Sequence, residues 1–273
     1  MISKKIESRD NPRLKLARKI RDGRISDRIF VEGVRLGEEA VGSDLDIDFC
    51  LFESNFDLGE RQRRLLDSIR EKGIEVAEVP KHIFLTITET KASQGIVLIC
   101  SRPASGRAVF EWNVDRSKSR IPLVLVLTEV NNPSNLGAVI RSAEAAGAAG
   151  VVVTRNSADV FSPRSLRASM GSSFRIPVWE NADIWEIVDW GKQQGKLISA
   201  ASGLGSDVYT EVDWTKSRIL FFGSEAHGVS KEVVEAAGSN VRIPIEPTVE
   251  SLNLAVSASI ILFEARRQVI DRA

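Results

Sequence analysis

Ile121 to Arg155 reads IPLVLVLTEV, NNPSNLG, AVIRSAEAAGAAG and VVVTR in succession, and this stretch decides the fold. Two runs of Val, Leu and Ile without alternation enclose a polar turn and a helix of small residues. Such runs suit strands covered on both faces, as in a parallel sheet under helices. Asn132-Pro133 marks a turn, because the residue before proline is driven out of the helical region. Ser134 or Asn135 stands where a helix cap is needed. The unit is βαβ, with its polar loop at the carboxyl end of a strand, where open α/β sheets hold ligands. Arg141 is the odd residue of the helix, set among Ala138, Val139, Ile140, Ala143, Ala145 and Ala146. Helical side chains lean toward the N-terminus, which directs this guanidinium back over Gly137 toward the loop. It reads equally as an arginine of the solvent face.

Working outward, the alternation of strands and helices continues in both directions. Toward the N-terminus, Asn11-Pro12 opens a short helix, followed by a strand at 29–31, a helix at 34–41, a strand at 48–52, an amphipathic helix at 58–72 and strands at 74–79 and 93–100. This pattern predicts a small α/β domain. Residues 101–120, rich in Ser, Arg, Pro and Gly, read as the domain boundary. Toward the C-terminus, Ser162-Pro163 starts a helix that ends near Gly171, with proline at its first position. An extended segment at 174–178, a helix at 184–194, and strands at 196–201, 218–222 and 241–245 follow. A long apolar helix from 252 to 269 closes the sequence. The divisions are therefore 1–105, a linker at 106–120, and 121–273.

The 273 residues carry 37 basic and 37 acidic side chains, so net charge names no partner. Its distribution says more: residues 1–28 hold ten basic against four acidic side chains, an electrostatic footprint for a polyanion or simply a solvated helical face. Cys50 and Cys100 lie in apolar contexts without metal-ligand spacing and read as buried thiols. Two histidines in the whole chain argue against a His-based metal site. No apolar span reaches membrane-crossing length and no signal-peptide core is present, which predicts a cytoplasmic protein.

Three strand ends open into polar loops: NNPSNLG at 131–137, GSEAHG at 223–228 and EPTVESLN at 246–253. A parallel sheet can bring all three to one edge, offering Asn135, Arg141, Glu225, His227, Ser251 and Asn253. The phosphate-loop classes fail. Gly223 to Gly228 has P-loop glycine spacing, but Val229 stands where lysine is required. GLGSDV carries Val208 at the third glycine of a dinucleotide fingerprint, and no Gly-x-Ser-x-Gly elbow has a usable histidine.

NNPSNLGAVIRSAEAAGA, FFGSEAHGVS and IPIEPTVESLNLAVSASIILFEARRQ resemble, in order, the three motifs of the SpoU (TrmH) family, RNA ribose 2′-O-methyltransferases of the SPOUT superfamily. RASMGSSFRIPV also resembles that family. Residues 28–100, with FVEGVRLGEEA and SQGIVLI, resemble the L30e-like RNA-binding domain often fused in front. The resemblance implies an α/β trefoil knot in the second domain around the last two motifs. Periodicity shows no knot, and chains rarely thread. It implies S-adenosylmethionine held in the knotted loops, with Gly223, Ile243 and Leu252 in contact with it largely through backbone groups. Asn135, Arg141, Glu225, Ser251 and Asn253 would surround the reacting ribose. It further implies a homodimer through the C-terminal domain, whose site can draw on both chains; neither a metal nor a membrane is an expected partner.

Methyl transfer to a ribose hydroxyl is an in-line displacement, for which alignment of two reactants supplies at best about 7–11 kcal/mol. Deprotonating a guanidinium at pH 7 costs roughly 7 kcal/mol. A cationic Arg141 that binds phosphate or stabilises a developing alkoxide is therefore the cheaper role. Ser251 and Asn253 could orient or relay; Ser251 could equally be a helix cap, and Asn253 could bond loop backbone. Glu225 has the alternative of pairing with a helix dipole, and His227 occupies a variable place in its motif. The leading expectation is a ribosomal RNA methyltransferase acting on 23S rRNA, with an antibiotic-resistance type as a subclass. A tRNA methyltransferase, a silent RNA-binding or ribosome-assembly protein, and a nucleotide-using α/β enzyme are the alternatives.

Overall fold

The computed structural model describes residues 4–54, 59–90, 93–116, 121–224 and 227–272. Contacts divide the chain into two units, Met1–Pro103 with Phe161–Phe174, and Ala104–Val160 with Arg175–Ala273.

The first unit runs β1 (Lys4–Lys5), α1 (Pro12–Arg21), β2 (Arg28–Glu32), α2 (Val34–Gly42), β3 (Ile47–Glu53), α3 (Glu60–Glu71), β4 (Glu75–Val79), α4 (Lys81–Phe84) and β5 (Ile96–Ser101). Its sheet has the order β1-β4-β3-β5-β2, with β5 antiparallel to both of its neighbours and the remaining pairs parallel. Leu14, Ala17 and Ile20, one face of α1, join Phe30, Leu51, Phe84, Val97 and Ile99 in its core. Cys50 and Cys100 are buried free thiols. Desolvation pushes the Cys50 thiol up to about 12, and Cys100 likewise upward, so neither supplies a thiolate near neutrality.

In the second unit, α5 (Arg107–Arg116) precedes β6 (Ile121–Leu127), α6 (Pro133–Ala146) and β7 (Ala148–Thr154). The chain then forms α7 (Pro163–Ser169), which belongs to the first unit. It returns as β8 (Val178–Ala182), α8 (Ile184–Gln193), β9 (Leu197–Ala201), β10 (Asp207–Val208), β11 (Arg218–Phe222), α9 (Lys231–Ala236), β12 (Ser239–Arg242) and α10 (Leu254–Ile270). These strands form one parallel sheet in the order β10-β12-β9-β11-β6-β7-β8. Every residue of β7 and β11 is buried, which is why both are apolar apart from Thr154 at the end of β7 and Arg218 at the start of β11.

Several boundaries differ from the sequence reading. The segment expected as a linker forms α5, whose Phe110 is fully buried against Trp179 and Trp190, with ring centroids 6.1 and 5.6 Å away. Ser105 accepts from Glu180 N at 2.8 Å and donates its hydroxyl to Glu180 Oε2 at 2.8 Å, tying the start of this segment to β8. Strand β8 starts at Val178, where the expected extended segment ends. Strand β12 ends at Arg242, before the Ile243-Pro244-Ile245 run, because Pro244 offers no N–H to a sheet ladder. The cap of α6 is Asn132, not Ser134 or Asn135; its Oδ1 accepts from the N–H groups of both, at 3.0 and 3.4 Å, with Pro133 at the first helical position.

Candidate functional site

Parallel strands point the same way, so their exits share an edge of the sheet. Thr128, just after β6, donates N–H and hydroxyl to Phe222 O at the end of β11, at 2.9 and 3.0 Å. Ser202 N, just after β9, donates to Val241 O of β12 at 2.9 Å. The strand ends are thereby stitched together before their loops diverge.

A cavity of about 830 Å³ opens among those loops. Asn132 and Asn135 come to it from the turn after β6, and Gly223, Ser224, His227 and Gly228 from the turn after β11. Ile243, Ile245, Glu250, Ser251, Leu252 and Asn253 come from the segment between β12 and α10. The first turns of α10 add Leu254, Ser257 and Ile261. A fourth turn, Ser202-Gly203-Leu204 after β9, completes the wall. The sequence reading passed over it as a failed dinucleotide fingerprint, although it too follows an apolar strand at the same edge.

Backbone packing makes two of these turns tight. A Cβ on Gly223 would stand 1.8 Å from Gly228 C and 2.1 Å from Val229 N. A Cβ on Gly205 would stand 2.4 Å from Asn240 O. Both distances are far inside contact, so the chain passes against itself only because these residues lack side chains. Gly228 N donates to Ser224 O at 2.9 Å and His227 N to Ser224 Oγ at 3.2 Å, closing the turn after β11.

Asn253 is the hinge of the polar side. Its Oδ1 caps α10 by accepting from Ala255 N and Val256 N, at 2.9 and 3.4 Å, and its Nδ2 donates to Asn135 Oδ1 at 3.3 Å. The cap of α10 is thus Asn253, and Ser251 lies two residues before that cap on the cavity wall. Beyond the cavity, Ser142 and Ser259 share a hydroxyl hydrogen bond of 2.8 Å, and Arg266 Nη1 donates to Ala146 O at 3.1 Å, which locks α6 against α10.

The structure therefore gathers Asn135, Gly223, Ile243, Ser251, Leu252 and Asn253 around one cavity. Arg141 stands apart. It is exposed on α6, outside the cavity wall, with no hydrogen-bond or ion-pair partner among the described residues. Glu225 lies outside the described residues. Among the described residues no cluster of His, Cys, Asp or Glu is placed to hold a metal ion.

Comparison with known proteins matches two separate segments of the chain. The sequence profile of the SpoU rRNA Methylase family matches residues 122–263, and that of the RNA 2′-O ribose methyltransferase substrate-binding domain matches residues 30–105. The chain is 29% identical over 266 residues to a Bacillus subtilis protein named 23S rRNA (guanosine(2553)-2′-O)-methyltransferase RlmP, covering 96% of this chain and 99% of that one. It is 30% identical over 248 residues to the 23S rRNA (uridine(2479)-2′-O)-methyltransferase of Streptomyces viridochromogenes, covering 89% and 83%. Among solved structures, an AdoMet-bound rRNA methyltransferase from Sinorhizobium meliloti superposes with a TM-score of 0.81 at 29% identity, covering 97% of this chain and 98% of that one. A family profile spanning more than half of the sequence, on a parallel sheet whose loops close one cavity, leaves a single assignment: the chain belongs to the SpoU family of rRNA methylases.

Proposed function

We propose that the chain transfers a methyl group from S-adenosylmethionine to a ribose 2′-hydroxyl of 23S rRNA. The observation that carries the reading is the cavity at the carboxyl edge of the sheet, on whose wall Asn135 and Asn253 meet in a hydrogen bond. Relatives matching both halves of the chain are named for that reaction on that RNA, which favours it over a tRNA substrate.

The residues present fit the methyl donor. At about 830 Å³ the cavity falls within the range of small-molecule sites, roughly 300–1,000 Å³. Apolar side chains of Phe222, Ile243, Ile245, Leu252 and Ile261 supply a surface for a flat heterocycle. The turns at Ser202-Gly203 and Gly223-Ser224 supply backbone donors and acceptors at glycine-spaced positions. Gly223, Ile243 and Leu252 would hold the donor, which when bound supplies an activated methyl group.

The chain's own part is alignment and charge. Ser251 and Asn253, both on the cavity wall, orient the ribose in this reading, and Asn135 bonds the Asn253 amide. Arg141 acts as a cation, gripping a phosphate of the RNA or stabilising oxygen as the 2′-hydroxyl proton leaves. Its exposure outside its own cavity wall supports a site completed across a homodimer. Val256, Phe263 and Ile270, spaced by seven along α10 and 48, 50 and 53% exposed, supply an apolar ridge for that dimer. The same family membership carries the proposal that the segments around Gly223 and Ile243 are knotted. Among the described residues no helix is long and apolar enough to cross a membrane, in keeping with a cytoplasmic site of action.

Ribose methylation mapped across rRNA and tRNA in a strain lacking the gene, with calorimetry on the purified chain, tests the reading. Arg141→Ala is expected to lower methylation by about 10²-fold or more, the scale for losing one charge-stabilising donor, with cofactor affinity unchanged. Purified protein that binds no S-adenosylmethionine and leaves every ribose unmethylated would sink it.

A further inference from the structure

Helix α1 carries five basic residues and no acidic one, and it precedes the segment matched by the substrate-binding profile, residues 30–105. Its cations divide into two sets. Arg13 pairs with Glu75. Arg18 donates to Thr86 Oγ1 at 3.1 Å and to Arg9 O at 2.6 Å, and Arg21 donates to Thr86 O and Thr88 O at 3.0 and 3.3 Å. These three guanidinium groups fasten the helix to the sheet and to the turn after α4.

The second set has no such work. Among the described residues, Arg9, Lys19 and Arg24 have exposed side chains with no hydrogen-bond or ion-pair partner. Lys15 meets only Asp10, itself 84% exposed. On the helix, Leu14, Ala17 and Ile20 face the core, which leaves Lys15 and Lys19, four apart, on the opposite ridge. Gly23 in the left-handed region (φ 70°) ends the helix, so that Arg24 N donates to Lys19 O at 2.8 Å. This Schellman-type closure holds the Arg24 backbone over the last turn beside Lys19. The Arg9 backbone is held by the Arg18 guanidinium, which donates to its carbonyl. Helix-dipole pairing accounts for a cation in the last turn at Lys19 but not for Arg9 or Arg24, which lie outside the helix.

We propose that this ridge of Arg9, Lys15, Lys19 and Arg24 grips the phosphate backbone of the substrate RNA, as a second RNA contact of the first unit. The inference rests on the proposed function only for the identity of the RNA. Backbones fixed by hydrogen bonds present three unpaired charges, and a fourth held only by exposed Asp10, at little ordering cost, and phosphate is the partner whose charge complements them. Such a contact positions the RNA without reading its sequence.

The test is binding of the full chain to a 23S rRNA transcript, measured at several KCl concentrations and separately from methyl transfer. Lys19→Glu with Arg24→Glu is expected to weaken binding about tenfold or more and to lower the slope of log affinity against log salt by about two. The Michaelis constant for RNA should rise with it, while kcat and cofactor affinity stay unchanged. Lys19→Arg with Arg24→Lys should restore binding. Lys192→Glu with Lys216→Glu, an equal charge change at exposed lysines of the second unit, should leave the salt slope near wild type. The proposal is overturned if the α1 variant keeps wild-type affinity and slope, or if the second-unit variant loses as much. Wild-type chain that binds the transcript but methylates no ribose sinks the proposed function and leaves this inference standing.

Discussion

Gly223 and Gly203 both line the cavity, yet they answer differently to one added methyl group. At Gly223 it would meet the Gly228 and Val229 backbone at 1.8 and 2.1 Å, whereas at Gly203 nothing lies within 4 Å. Gly223→Ala is therefore expected to lower S-adenosylmethionine affinity by at least about tenfold, because backbone at a close approach cannot yield as a side chain can. Gly203→Ala should bind within a few-fold of wild type. Calorimetry on the two variants decides it; equal losses would show that the turns are not differently packed. At this scale the gathering of Asn135, Ser251 and Asn253 on one cavity wall was legible, because each belongs to a polar stretch that follows an apolar strand. Arg141 was harder. The lean of a helical side chain gives a direction along the axis, but a residue four positions on is rotated by about 40° around it. That rotation separates exposed Arg141 from buried Gly137.

At the scale of elements, one amide serves two helices' worth of structure. Asn253 caps α10 through Oδ1 and reaches Asn135, in the first turn of α6, through Nδ2. Asn253→Ala loses both functions and should cost about 1 kcal/mol of stability along with activity. Asn253→Asp keeps a good cap at the positive end of the helix dipole but has no amide donor. Thermal melts near wild type with methylation strongly reduced are expected for the Asp variant. Full activity there would mean that capping is the residue's whole role. Strands β6, β7 and β11 were readable as buried strands because they leave largely apolar runs, whereas their order in the sheet was not. Helix α5 was not readable, because its core face amounts to buried Phe110 and half-buried Val114 in a stretch of ten residues, too short a repeat to set a period. The end of β12 was misjudged for the opposite reason. Ile243 and Ile245 look like strand residues, yet they face the cavity, where apolar surface serves a ligand instead of a ladder.

For the whole molecule, the ridge of Val256, Phe263 and Ile270 makes the state of association testable. Phe263→Glu puts a charge at the middle of that ridge and is expected to convert a dimer into monomers, as read by light scattering. Methylation should fall with it if Arg141 serves the partner's cavity. A monomeric wild-type chain would remove both expectations.

The outward path of the chain between β7 and β8 has a practical consequence for anyone recombining such proteins. Residues 161–174 leave the second unit and fold with the first, where Phe161 and Leu166 are 3 and 0% exposed, and Arg167 binds Glu89 at 2.7 Å. Gly171 lies so close to Glu39 that a methyl group there would fall 2.6 Å from its side chain. A chimaera spliced once, after the first 103 residues, would inherit an incomplete recognition module, with an apolar seam open to water. A workable transplant needs a second cassette, cut from the far side of the sequence and carried along with the first.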